Sequence, residues 1–292
     1  MSAPLRWVVS DRDGARLSDV LHQMREPAAA DQGRAFVNGR RANPGEAIAV
    51  GDVVEVWAAR DASVADAPRV LAQRRGLVLA YKPAGLPSEA DRRGTTSMAR
   101  WLERQLGARP HLASRLDVGV SGVVLAAVGE DARRHVAREQ AHGRVTRCYV
   151  ALAGGRVEGR GSWSGPVGPR RLEAETRFEA VAYARPARRG EAATTFLRLW
   201  PITGRTHQLR LHATQAGAPL LGCREHGGAR TVTLASGAVV ALDRVALHAR
   251  AVALSDERGE PLDAGAELPD SLRAVWLALD GPADACDEVA LP

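Results

Sequence analysis

From about residue 75 onward, apolar runs of five to seven residues recur, each closely followed by a glycine or proline, with charged amphipathic stretches between them. Runs this short suit buried strands, and none approaches the roughly 18–20 apolar residues of a membrane span. Residues 77–81, 123–128, 148–153 and 194–200 therefore read as strands. Three other stretches carry helix signals. Residues 95–106 open on Thr and Ser, place Met98, Trp101, Leu102 and Leu106 on one side, and stop at Gly107. Residues 130–142 begin with Glu130 and Asp131, which suit the positive end of a helix dipole, and stop at Gly143. Residues 206–216 stop at Gly217. Strands with helices set among them, and several expected hairpins, predict an α+β fold: a mainly antiparallel mixed sheet flanked by helices and loops, not a doubly wound one.

The length of 292 residues is about that of two average domains. Residues 1–60 read as a small separate module. A helix over 16–24 aligns Leu17, Val20, Leu21 and Met24, Val37-Asn38-Gly39 ends a strand in a turn, and residues 50–57 give a turn and an alternating strand. Residues 61–74 read as a linker, 75–280 as the large domain and 281–292 as an acidic tail. Charged residues near the start rule against a signal peptide, so a cytoplasmic protein is expected, acting as a monomer away from membranes. The three cysteines form no C-x-x-C pair, which argues against a disulfide framework and a structural zinc site. The best metal triad that can be assembled, His212, Cys223 and His226, reads as ordinary polar side chains, so no metal is expected. No P-loop, G-x-G-x-x-G, H-E-x-x-H or G-x-S-x-G pattern is present.

Charge is unevenly spread. Residues 61–250 hold 30 basic and 16 acidic side chains, whereas residues 251–292 hold two and ten. A basic body suggests a polyanionic partner, most simply nucleic acid. Nearly all the positive charge is arginine, because Lys82 is the only lysine.

Four segments carry residue types fit for chemistry. In 114–122, Ser-Arg-Leu-Asp-Val-Gly-Val-Ser-Gly, an extended chain points Arg115 and Asp117 one way and Leu116 the other. A carboxylate on a loop before an apolar strand suits a nucleophile or general base. In 201–212 a Thr-Gly turn leads into a helix whose first turn carries Arg205, His207 and Gln208. Cations there oppose the helix dipole, so a functional reason is expected, such as an anion held by Arg and free N–H groups. In 144–152, Arg144 and Arg147 suit phosphates and Tyr149 suits stacking on a base. In 81–87 a Pro/Gly turn holds Lys82.

In this order the segments resemble the RluA-type pseudouridine synthases, a family that isomerises uridines in ribosomal and transfer RNA. The resemblance covers roughly residues 75–255. It rests on K-P-x-G-L-P at 82–87, R-L-D-x-x-x-S-G at 115–122, R-x-Y at 147–149, T-G-R-T-H-Q-L-R at 203–210 and L-H-A at 247–249. It implies a pseudouridine synthase catalytic domain that needs no cofactor. It implies Asp117 as the catalytic aspartate, Arg205 as its basic partner and Tyr149 as the aromatic packed on the target base. Arg115 and Leu247 are expected to contact the flipped nucleotide, and Lys82, Arg147, His207 and Arg210 to contact RNA. The expected partner is ribosomal RNA, of the large subunit, or transfer RNA.

The chain departs from the family pattern in places. Ser114 stands where histidine is common, Val120 where threonine is usual, and Gly222-Cys223-Arg224-Glu225-His226-Gly227 replaces G-D-x-x-Y-G. Residues 1–60 resemble the small alpha-L RNA-binding module, but the module is electrically neutral and lacks the usual basic helix, so little phosphate binding is expected of it. Two other readings suit the same residues. One is a catalytically inactive RNA-binding protein that keeps the synthase fold. The other is a hydrolase built on Asp117 and nearby histidines.

Overall fold

The computed structural model describes residues 5–24, 26–27, 29–30, 35–43, 45–56, 67–90, 96–184, 193–234 and 239–287. The chain divides into two compact units, residues 1–65 and 66–292. In the first, strands β1 (Leu5–Val8), β2 (Ala35–Val37), β3 (Arg40–Arg41) and β4 (Val53–Val56) form an antiparallel sheet in the order β1-β4-β2-β3. Helix α1 (Leu17–Gln23) buries Leu17, Val20 and Leu21 in the same core as Val37, Ile48, Val54 and Val56. The turn joining β2 to β3 needs two residues with positive φ, supplied by Asn38 (51°) and Gly39 (75°), as the Asn-Gly pair predicts.

The second unit is built on a large sheet. Its strands are β5 (Arg69–Arg74), β6 (Leu77–Lys82), β7 (Pro110–Leu112), β8 (Ser121–Val128), β9 (Thr146–Gly154), β10 (Arg160–Val167), β11 (Leu172–Ala184) and β12 (Thr194–Pro201). After a small separate ribbon, β13 (Thr231–Thr233) with β14 (Val239–Ala241), come β15 (Leu247–Ser255) and β16 (Pro261–Gly265). The sheet runs β10-β11-β12-β9-β15-β8-β6-β5, with β16 added to β15 and β7 to β8. Among the described strand pairs only β15 with β8 is parallel, so the fold is α+β with a mainly antiparallel mixed sheet, as the strand runs predict.

Both faces of the sheet are covered, which is why the strands read as unbroken apolar runs. Along β6, Val78 and Ala80 face one core with Met98 and Leu102 of α2 (Met98–Leu106) and Leu209 and Ala213 of α4 (Gln208–Gln215). Leu77, Leu79 and Tyr81 face the other, with Ala132 and Val136 of α3 (Glu130–Ala141). Farther along, α5 (Asp270–Ala278) lays Leu272 and Trp276 on Val150, Leu152 and Phe196. Trp276 is fully buried, edge-on to Phe196 at 5.2 Å, and its indole N–H donates to the Pro282 carbonyl at 2.9 Å. Trp276→Ala should destabilise the fold by about 3–5 kcal/mol, read as a lower urea midpoint at unchanged slope.

Two boundaries move. Residues 69–74, assigned to the linker by sequence, pair with β6 as an edge strand; their half-exposed, Arg-rich pattern disguises them. The rest of the expected linker falls partly on residues outside those described. The acidic tail is not wholly solvated either. Residues Ala283–Cys286 form a 3-10 turn that buries Ala285 and Cys286 beside Trp276. Helix α2 starts at Met98, where the Ser97 hydroxyl accepts from the Arg100 N–H, so Thr96 and Ser97 precede it. No described helix is long and apolar enough to cross a membrane.

Candidate active site

Asp117 lies in the loop joining β7 to β8, and the loop is tied down on both sides of it. The Ser88 hydroxyl donates to the Leu116 carbonyl at 2.7 Å and accepts from the Leu116 N–H at 3.0 Å. Ser114 Oγ accepts the Leu125 N–H at 2.9 Å, which gives the atypical serine a structural task. The Val120 N–H donates to the Asp117 carbonyl at 3.0 Å. Leu116 is buried, Arg115 exposed and the Asp117 carboxylate 34% exposed, the alternation predicted from the extended pattern. Beyond the loop, Gly122 passes so close to β15 that a Cβ would stand 2.2 Å from the Ala249 carbonyl oxygen, so only glycine fits there.

The basic partner of Asp117 is Arg210, not Arg205. Arg210 Nη1 donates to Asp117 Oδ2 at 2.8 Å, Nη2 to Glu225 Oε2 at 2.6 Å, and Nε to Cys223 Sγ at 3.2 Å. Burial pulls the Arg210 pKa down, but the hydrogen bonds to Cys223, Asp117 and Glu225 outweigh it and the net shift is upward. The guanidinium is therefore a fixed positive charge in a nearly buried position. Arg205 instead donates from Nε to the Glu173 carbonyl at 3.2 Å, on the exposed side of the turn. The cause is local. His207 adopts φ 55°, so α4 begins at Gln208 and not at Thr206. Arg205 then stays in the turn before the helix, while Arg210 is its third residue and faces Asp117.

Gln208, placed in the first turn by sequence but given no role there, holds that turn in place. Its Oε1 accepts from the Thr203 hydroxyl at 2.7 Å and the Arg205 N–H at 3.0 Å. Its Nε2 donates to the Glu175 carbonyl and Thr176 Oγ1 on β11. A second network missed from sequence joins the serine of R-L-D-x-x-x-S-G to the histidine of L-H-A. His248 Nε2 donates to the Ala266 carbonyl at 3.1 Å, so Nδ1 is left to accept from the Ser121 hydroxyl at 2.9 Å. Ser121 Oγ in turn accepts from Arg244 Nη1 at 2.8 Å. Burial holds the His248 pKa down at about 3, so the ring is a neutral clamp between β8 and β15.

Tyr149 on β9 is buried in one cluster with Leu116, Val120, Leu209 and Leu247. Burial pushes its phenol pKa up, and the charge of Asp117 adds to the rise, so it stays neutral. Leu247 heads β15 opposite Ala151, two residues along the ladder from the Ala249–Tyr149 pair. His207 turns Nε2 toward Asp117 Oδ1 at 3.7 Å. Arg147 is half-buried, with Nη2 on the Pro201 carbonyl at 3.4 Å, beside Gly204. Arg115 is exposed.

Lys82 does not fit the expected RNA contact. It is fully buried, and its ammonium donates to the Pro83 carbonyl at 3.0 Å and the Leu86 carbonyl at 2.7 Å. Burial lowers its pKa to about 8, helped by Arg244 and opposed by Asp117. The lysine stiffens the K-P-x-G-L-P turn from within and cannot touch a phosphate. The His212–Cys223–His226 triad is not assembled: His212 Nδ1 meets Thr176 Oγ1 at 2.9 Å, and Cys223 faces Arg210. His226 instead meets His207, ring nitrogen to ring nitrogen, at 3.1 Å.

The sequence profile of the RNA pseudouridylate synthase family matches residues 76–215, the stretch from β6 through α4. The chain is 30% identical over 272 residues to ribosomal large subunit pseudouridine synthase D of Xanthomonas campestris pv. campestris, covering 85% of this chain and 81% of that protein. It is 32% identical over 224 residues to the protein of the same name from Nitrosomonas europaea, covering 72% of this chain and 65% of that one. In fold it is similar to human RNA pseudouridylate synthase domain containing 1, with a TM-score of 0.55 at 19% identity, over 75% of this chain and 96% of that one.

Proposed function

The chain belongs to the RNA pseudouridylate synthase family, and we propose that it converts uridine to pseudouridine in large-subunit ribosomal RNA with Asp117 as the catalytic carboxylate. The observation that carries this reading is the ion pair of Asp117 with Arg210, set beside the buried phenol of Tyr149. The reaction breaks the bond from ribose to a uracil nitrogen, turns the base and rejoins it through carbon. Substrate and product are isomers, so the chemistry asks for no electron source, group donor or cofactor. It asks for an anionic oxygen at the sugar and base, held so that it neither drifts nor pairs elsewhere. Arg210 supplies that restraint, and its other two contacts keep the guanidinium from following the carboxylate.

The target base must leave its stack, which costs a few kcal/mol. In this reading Tyr149 and Leu247 receive the base, Arg115 enters the space it leaves, and Arg147 and the Arg-rich surface hold the backbone. Ribosomal RNA is favoured over transfer RNA by the two curated relatives of the same name. The protein acts in the cytoplasm as a monomer in this reading, and its neutral N-terminal unit adds little to phosphate binding. The intact Asp117–Arg210 pair gives no support to an inactive RNA-binding protein. Carbodiimide mapping of pseudouridine in total RNA, with and without the gene, tests the reading. At least one large-subunit site should vanish on deletion; a full set of sites in every RNA of the deletion strain would overturn it.

A further inference from the structure

The turn Arg224–His226 lies against Arg210 and His207, the neighbours of Asp117, yet the isomerisation gives its histidine nothing to do. His207 Nδ1 stands 3.1 Å from His226 Nε2 and 3.6 Å from Glu225 Oε2. One ligand atom from each of these three residues lies within 4.8 Å of the others. Four ligands placed tetrahedrally at about 2.0–2.1 Å from zinc stand about 3.3 Å apart. The two measured separations bracket that value, so an ion can enter with shifts of a few tenths of an ångström.

Both sides of the cluster are fixed before any ion arrives. His207 is locked at the start of α4. The His226 carbonyl accepts from the Thr214 hydroxyl of α4 at 2.7 Å, and its N–H donates to the Cys223 carbonyl at 3.2 Å. The far nitrogen of His207, Nε2, looks at Asp117, the carboxylate-behind-imidazole arrangement that orients metal-binding histidines. Glu225 Oε2, the oxygen that faces His207, has two lone pairs, so it can meet an ion while it still accepts from Arg210 at 2.6 Å. The Glu225 side chain is 62% exposed and that of His207 30%, which leaves the cluster open to solvent.

We propose that His207, Glu225 and His226 form a three-ligand site for a zinc-class divalent cation, with the fourth position left to water. The site shares Glu225 with the anchoring of Arg210, so its test reads metal binding directly and not activity. The full-length chain, freed of metal by chelation, is titrated with zinc against a chromophoric chelator, alongside His226→Phe and Glu225→Gln. The wild type should take up one equivalent per chain, and each variant should bind at least about tenfold more weakly. Glu225 is a surface side chain, so its variant keeps the test sound if the histidine variant fails to fold. Uptake well below one equivalent, or equal affinity in wild type and Glu225→Gln, would overturn the proposal.

Discussion

Asp117→Asn should leave a protein that folds and binds RNA but forms pseudouridine at least about a thousandfold more slowly, a barrier rise of about 4 kcal/mol or more. The substitution is nearly isosteric. The asparagine carbonyl can still accept from Arg210 at the position of Oδ2, and the loop is held by Ser88 and Ser114 independently of this side chain. What is lost is the negative charge, so the variant separates placement from chemistry. The measurement is single-turnover release of tritium from uracil C5 in labelled RNA, with a filter-binding curve on the same preparation. Full-rate turnover would remove Asp117 from the mechanism, and weakened binding alone would recast it as a contact residue.

The second large effect concerns which arginine matters. Arg210→Lys should lower turnover by about 10²–10³-fold, and Arg210→Met by more, because an ammonium cannot reach Asp117, Glu225 and Cys223 from one stem. Losing charge-assisted bonds at a nearly buried site should also cost about 1.5–3 kcal/mol of stability in the methionine variant. Arg205→Ala should stay within a few-fold of wild type in the chemical step, since its side chain meets only the Glu173 carbonyl at the surface. Any loss there should appear in RNA affinity and be greater at low salt, since one fewer phosphate contact makes the salt dependence shallower. The ratio of the two single-turnover rates decides the assignment: equal defects would restore Arg205 as the partner of Asp117.

How far the sequence reveals this molecule follows from the range of the forces involved. Strands buried on both faces announce themselves as apolar runs, which is why 77–81, 123–128, 148–153 and 194–200 are found. The long hairpin of β10 and β11 is half-exposed and charged, so it offers no such run. Asp117 and the outward Arg115 are legible because alternation is a local rule. Arg205 and Arg210 cannot be ranked from the same motif, because their directions depend on where α4 begins. That boundary is set by one residue, His207, in a conformation that residue types other than glycine seldom adopt. Lys82 misleads for a different reason: a lone lysine at a strand end looks solvated until the carbonyls of the following turn are seen to close around it. The meeting of His207 with His226 spans 19 residues and belongs to tertiary structure alone.

The enclosure of Lys82 bears on how the protein can be handled and controlled. It is the only lysine in the chain, so no ε-amino group is offered to solvent. Acetylating enzymes have no side-chain target through which to tune RNA affinity, and succinimidyl esters will tag little beyond the chain's own terminal amine. Grip on the nucleic acid is left to guanidinium groups, whose charge persists at any pH a cell reaches.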